Sequence, residues 1–171
     1  MEKHILSVLV QNHAGVLSKV VGLFSRRGFN IDSLAVGKTH DPAYSRITIL
    51  AEGDVTTARQ IRKQLEKLVP VEMVRHIRDC DAVTSELCLV KVVAERGTRS
   101  EIMQIADIFR AKIIDVSHRT LTIEITGHTS KVEALLRLLE PFGLIELSRT
   151  GMVALERGER NIYAPDAADD I

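Results

Sequence analysis

Ile5-Leu6-Ser7-Val8-Leu9-Val10-Gln11-Asn12-His13-Ala14-Gly15-Val16-Leu17 is the stretch on which the fold turns. Its first six residues are a short apolar run rich in branched side chains, the pattern of a buried strand. From Val16 the period changes. Val16, Leu17, Val20, Val21 and Phe24 recur as one face of an amphipathic helix. Gly28 stands just past the last turn, where glycine commonly stops a helix. Phe29-Asn30-Ile31-Asp32 opens the next strand. The first turn of this helix contains no Asp or Glu. A helix start carries unpaired N–H groups and partial positive charge. Two readings therefore stand: an ordinary strand-to-helix turn capped by Asn12, or a seat for a small anion such as a carboxylate beside the bare Gly15.

Working outward, Ile31 to His40 reads as a strand and Asp41-Pro42-Ala43 as a turn. Ser45 to Ala51 is another strand, closed by Gly53-Asp54, with Asp54 a good N-cap. Val55, Ala58, Ile61, Leu65 and Leu68 form the stripe of a second helix, which Pro70 ends. Val71 to Ile77 is a fourth strand, so the order is βαββαβ. After a polar linker the order repeats. Leu87–Val93 is a strand, Glu101–Ala111 a helix, and Ile113–Val116 and Leu121–Ile125 are strands. A helix carries Val132, Leu135, Leu136 and Leu139, and Leu144–Leu147 is the last strand. Gly127 follows Leu121 at the distance at which Gly53 follows Ile47. Each half is a split βαβ, so the fold class is α+β, two tandem ferredoxin-like domains, each an antiparallel sheet with its helices on one face. The expected boundaries are 1–78 for the first domain, 79–82 for the linker, 83–158 for the second domain and 159–171 for an acidic, disordered tail. Arg149 to Leu155 either extends the last strand or returns along the sheet.

The helices of the second half read as self-capped. Thr98-Arg99-Ser100-Glu101 and Ser130-Lys131-Val132-Glu133 both match a capping box. Glu101 would fill the electrostatic niche that the first helix leaves open. An anionic small molecule at a helix start would then belong to the first half.

Composition narrows the function. The 171 residues carry 23 basic and 23 acidic side chains, a net charge of +0, and 45% are hydrophobic. That balance argues against nucleic-acid binding through a basic face and against a polybasic membrane surface. No apolar run is long enough to span a bilayer, and Met1-Glu2-Lys3-His4 lacks a signal-peptide pattern, so a cytoplasmic location is expected. Cys80 and Cys88 match neither a redox pair nor a zinc site. The six histidines are scattered, and no metal site is expected. No phosphate loop, nucleophile elbow or dinucleotide fingerprint occurs, so no catalytic residues are assigned. Acylphosphatases share the fold order but need an arginine in the loop before the first helix, where this chain has Asn12 and His13. RNA-recognition domains share it too but stack bases on strand aromatics, and only 4% of these residues are aromatic.

The residues Ile5–Val10, Asn12, Gly15-Val16-Leu17, Arg27-Gly28-Phe29-Asn30-Ile31-Asp32-Ser33-Leu34, Asp41-Pro42 and Ser45-Arg46-Ile47-Thr48 together resemble the amino-acid-binding ACT domain of acetolactate synthase small subunits. The resemblance runs on through Gln64-Leu65, Lys67-Leu68-Val69, Leu89-Val90-Lys91-Val92, Phe109–Val116, Arg149-Thr150-Gly151 and Arg157-Gly158. It covers nearly everything but the acidic tail. It implies a non-catalytic, regulatory subunit in branched-chain amino acid biosynthesis. Such a subunit activates a catalytic large subunit and confers feedback inhibition, usually by valine. Thiamine diphosphate, Mg²⁺ and FAD would belong to the large subunit, with no cofactor on this chain. The implied effector site comprises Asn12, His13, Ala14, Gly15, Val16 and Leu17 of one chain with Asn30 and Ile31 of another, in a homodimer paired through its ACT domains. His13-Ala14 departs from the acidic or small polar residues common there. A free-standing amino-acid sensor and a histidine-based metal-responsive regulator are the alternatives.

Overall fold

The structure, a computed structural model, describes residues 2–164. The chain divides into two units: Met1–Val83 together with Met152–Ile171, and Thr84–Gly151.

The first unit contains β1 (Glu2–Gln11), α1 (Val16–Arg27), β2 (Ile31–Lys38), β3 (Tyr44–Gly53), α2 (Val55–Leu65) and β4 (Val71–Ile77). Its sheet has the order β2-β3-β1-β4, and the pairs are antiparallel. Leu6, Val8 and Val10 of β1 point to the helix face, where they pack with Val20, Phe24, Ile61 and Leu65. Ile5 and Leu9 point the other way and are also buried. Burial on both faces is why β1 is a continuous apolar run rather than an alternating one. α1 buries Val16, Val20, Leu23 and Phe24. Leu17, expected on that face, is 43% exposed. With the helix beginning at Val16, the stripe at i, i+4, i+7 and i+8 takes in Leu23, and Leu17 lies about 100° round from Val16. Gly28 ends the helix at φ 68°, its N–H directed to the carbonyls of Phe24 and Ser25. Asp54 caps α2 by accepting the Thr57 N–H at 2.7 Å. Val55 of the expected α2 stripe is 43% exposed, because it opens the helix.

The second unit repeats the plan. β5 (Ala82–Val93) begins in the first unit and continues into the second, followed by α3 (Arg99–Ile108), β6 (Lys112–Val116), β7 (Thr120–Gly127), α4 (Thr129–Leu139) and β8 (Leu144–Arg149). The order β6-β7-β5-β8 reproduces that of the first sheet. Cys88, Val90 and Val92 of β5 pack with Ile102, Ala106, Val132, Leu135 and Leu139. The α+β class and the ferredoxin-like repeat read from the sequence are both present.

Two caps differ from expectation. Thr98 precedes α3 with helical angles, φ −106° and ψ −15°, and its side chain does not cap. A capping side chain needs extended backbone there, and the Thr98 hydroxyl donates to Glu95 O instead. Glu101 does lie in the first turn of α3. α4 starts at Thr129, one residue before the expected cap Ser130, and His128 caps it by accepting the Ser130 N–H.

The C-terminal stretch also differs. Residues 152–164 belong with the first unit rather than with the second domain and a tail. Met152 N–H donates to Ser33 Oγ at 3.0 Å. β9 (Val153–Glu156) follows, and Arg157 N–H donates to Asp81 O at 2.7 Å. Met152 and Ala154 join Ile5, Leu50, Ile77 and Ala82 in a core cluster on the sheet face away from the helices. Arg75, 4% exposed, pairs with Glu156 at 3.7 Å and donates to the carbonyls of Asn161 and Ala164. Ile162 is buried. The apolar back of β1 needs a cover, and this segment supplies it. Of the expected disordered tail, residues 165–171 lie outside the described residues.

Candidate functional site

The β1–α1 turn is held from below by the β2–β3 turn. Asn12 N–H donates to Ala43 O at 2.7 Å. The Asn12 carboxamide donates from Nδ2 to Pro42 O at 2.9 Å, and its Oδ1 accepts the Ser45 hydroxyl at 3.1 Å. Both ends of the side chain are thus engaged, and Asn12 does not cap α1. Two residues of loop, His13 and Ala14, separate it from the true N-cap, Gly15.

Gly15 adopts φ 84° and ψ −9°, a left-handed conformation, and offers no capping side chain. The left-handed region is open to glycine without penalty. A Cβ on Gly15 would meet nothing within 4 Å, so the requirement is on the backbone alone. Gly15 O accepts the Lys19 N–H at 3.1 Å, closing the first helical bond, and Val16 N–H reaches His13 O at 3.4 Å. Among the described residues, the N–H groups of Gly15, Leu17 and Ser18 have no hydrogen-bond acceptor. The first turn holds no acid. Asn12, His13, Ala14, Gly15 and Leu17 are exposed, and Val16 is buried in the core. His13 turns its Nδ1 to Ala14 O at 3.1 Å. The result is an open helix start whose dipole and N–H groups suit a carboxylate.

Asn30 and Ile31 are not nearby in the same chain. Ile31 pairs with Ala51, and Ala51 pairs with His4, at the start of β1. Gln11, at the other end, pairs with Tyr44. From His4 to Gln11 the strand rises about 23 Å at ~3.3 Å per residue. The two halves of the expected site therefore lie at opposite ends of one sheet. Only a second copy of the chain could bring Asn30 to the α1 turn. Asn30 is exposed and donates weakly to Glu52 at 3.4 Å. Ile31 is half-buried and packs on the core beneath α1.

Pro42, Ala43 and Ser45 shape the loop and were not among the expected site residues. Asp41-Pro42 marked their turn in the sequence, but nothing local shows that it braces Asn12. Among the described residues, no three His, Cys, Asp or Glu side chains converge as a metal site. Among the described residues, no helix is long and apolar enough to cross a membrane.

Comparison with known proteins agrees with this architecture. Residues 6–72 match a family model described as the AHAS small subunit-like ACT domain, and residues 85–158 one described as the small subunit of acetolactate synthase. The chain is 51% identical over 159 residues to an acetolactate synthase small subunit of Mycobacterium bovis, covering 93% of this chain and 95% of that one. It is 48% identical over 162 residues to a probable acetolactate synthase small subunit of Methanothermobacter thermautotrophicus, covering 94% and 96%. The crystal structure of the acetolactate synthase small subunit from Thermotoga maritima superposes with a TM-score of 0.88 at 45% identity, over 94% of this chain and 100% of that one. With both halves matched in order, the chain belongs to the acetolactate synthase small subunit family and carries an ACT domain in its first half.

Proposed function

We propose that this chain is the regulatory subunit of an acetolactate synthase, raising the activity of a catalytic large subunit and making it subject to inhibition by a branched-chain amino acid, valine foremost. The observation that supports the effector seat is the uncapped, acid-free start of α1 at Gly15. An amino acid's carboxylate would take the free N–H groups of Gly15, Leu17 and Ser18. Its ammonium would meet the side-chain oxygen of Asn30 from a second copy. Its apolar side chain would rest on the exposed Leu17 and the half-buried Ile31. Asn12 acts in this proposal by positioning the loop, since its carboxamide is already engaged.

The separation of the two half-sites along the sheet makes a dimer part of the same proposal. β2 is an edge strand, and side-by-side pairing of two first units would bring the start of β2 to the partner's α1 turn. Thiamine diphosphate, Mg²⁺ and FAD are assigned to the large subunit, and the setting is the cytoplasm.

The test is an assay of the cognate large subunit with and without this chain, across valine, leucine and isoleucine. The expected result is a severalfold rise in rate that valine reverses, with no activity from this chain alone. An unchanged rate with demonstrated binding overturns the activating role. Light scattering with valine present should give at least a dimer; a monomer overturns the shared site. A chain that binds valine yet never co-purifies with a thiamine-diphosphate enzyme would be a free-standing sensor instead.

A further inference from the structure

The back of the first sheet, the face away from its helices, contains a pocket of about 210 Å³. Its polar lining includes Ser7 of β1, Arg46 of β3, Arg75 of β4, and Glu156, Arg160 and Asn161 of the C-terminal segment. Ile77, Leu155 and Ile162 add an apolar wall. Ser7 stands directly across from Arg75 in the β1–β4 ladder. Ser7 is 1% exposed, and its Oγ has no hydrogen-bond partner among the described residues. A buried hydroxyl left unpaired is costly, and native structures rarely leave one without a protein, water or ligand partner. Arg46 is half-buried, and among the described residues no carboxylate stands within ion-pair distance of it. Burial pulls its pKa down, and Tyr163 and Glu156 oppose that from a distance. The one acid among the described lining residues, Glu156, is already paired with Arg75 at 3.7 Å. Among the described residues, Arg46 and Arg160 thus flank a hydroxyl without a partner, while Glu156 is engaged by Arg75.

We propose that this pocket binds a short-chain monocarboxylate, its carboxylate between Arg46, Arg160 and the Ser7 hydroxyl and its tail on Ile77, Leu155 and Ile162. Guanidinium groups match a carboxylate's geometry and charge. The apolar wall gives a tail somewhere to rest that inorganic phosphate does not need. Among the described lining residues an α-ammonium would find Glu156 already engaged and the guanidinium groups of Arg46 and Arg160 beside it, which disfavours an amino acid here. The site is therefore distinct in chemistry from the seat at Gly15, and it stands or falls independently of that proposal.

The experiment is calorimetric titration of the full chain with butyrate, 2-aminobutyrate and inorganic phosphate. Butyrate should bind saturably. Arg46→Gln should weaken that binding at least tenfold and Arg160→Gln severalfold, with Gly15→Asp leaving it unchanged. Arg160 is exposed, so its variant keeps the fold if the Arg46 variant does not. Circular dichroism melts check each. Any 2-aminobutyrate binding should be insensitive to Arg46→Gln. A flat butyrate titration, or butyrate binding indifferent to both arginine variants, overturns the site. Phosphate binding tighter than butyrate, or Arg46-dependent binding of 2-aminobutyrate, overturns the assignment to a monocarboxylate.

Discussion

Ser45 donates its hydroxyl to the side-chain oxygen of Asn12 at 3.1 Å, tying the β2–β3 turn to the loop that leads into α1. The same carboxamide holds Pro42 O from its nitrogen. One side chain therefore sets the height of the whole approach to Gly15.

Asn12→Ala should loosen that approach. Two exposed or half-buried hydrogen bonds are lost, at about 1–2 kcal/mol together. The melting temperature should fall by a few degrees. Valine inhibition of the reconstituted enzyme should weaken while activation persists. Ser45→Ala, which removes one of the two bonds, should show a smaller shift in the same direction. Inhibition constants equal to wild type in both variants would show that the brace is not needed.

Gly15 offers a cleaner comparison, because its φ of 84° imposes the same backbone demand on any replacement. Asn and Asp both tolerate the left-handed region better than other residues, at a cost of up to ~1–2 kcal/mol. They differ in charge. Gly15→Asn should retain much of the valine response. Gly15→Asp places a carboxylate beside the N–H groups of the first turn and should abolish or sharply weaken it. Thermal melts should show similar losses for the two. If valine inhibits the Asp variant with unchanged affinity, the carboxylate is not received at this turn. Glu101→Ala, on the other unit, should leave the response as it was.

Much of this was legible in the sequence because it is local. Gly28 as a stop, Asp54 as a cap and the doubled βαββαβ order each depend on a few consecutive residues. Of the two readings of the first turn, capping by Asn12 does not hold, because two positions in a turn compete for that role and the tertiary partners Pro42 and Ser45 decide it. Thr98 matched a capping pattern but lacks the backbone angle that gives the pattern its effect. The segment 152–164 was the largest departure. Residues 159–164 read as a polar tail and 152–158 as the end of the second domain; the partners that hold the segment on the first unit, Ser33, Arg75, Asp81 and the apolar back of β1, are distant from it in sequence. The separation of Asn30 from the α1 turn follows from strand register, which the sequence does not state.

Acid should expose the α2 cap. The Thr57 hydrogen bond holds the Asp54 carboxyl below its ordinary value near 3.8. A depressed carboxylate stabilises the fold above its unfolded pKa, and that contribution fades as pH falls through the ordinary value toward the folded one. Asp54→Ala should melt below wild type at pH 7, and the gap should narrow as pH drops below about 4. A carboxyl resonance titrating at the ordinary value, or a gap independent of pH, would contradict the capping assignment.

The two thiols should react at very different rates. Cys80 is exposed, whereas Cys88 is buried in the second core, and burial pushes its thiol pKa up. Only the thiolate is a nucleophile. Native protein at pH 8 should therefore yield one fast-reacting thiol to a chromogenic disulfide reagent, and the second only on unfolding. Cys80→Ser should remove the fast phase. Two fast thiols would mean that the second core opens readily.

The Arg75–Glu156 pair and the carbonyls of Asn161 and Ala164 fasten residues 152–164 onto a sheet whose first strand begins at residue 2. In synthesis from the amino end, the whole of Thr84–Gly151 leaves the ribosome before that cover does. Until then Ile5, Leu50 and Ile77 of the nascent first unit have no Met152 or Ala154 to pack against. A ribosome that stops short of residue 152 releases a chain with a complete second core and a first sheet bare on one side. Such a product presents the apolar surface that chaperones and proteases act on, so β9 also distinguishes chains that have reached it from chains released before it.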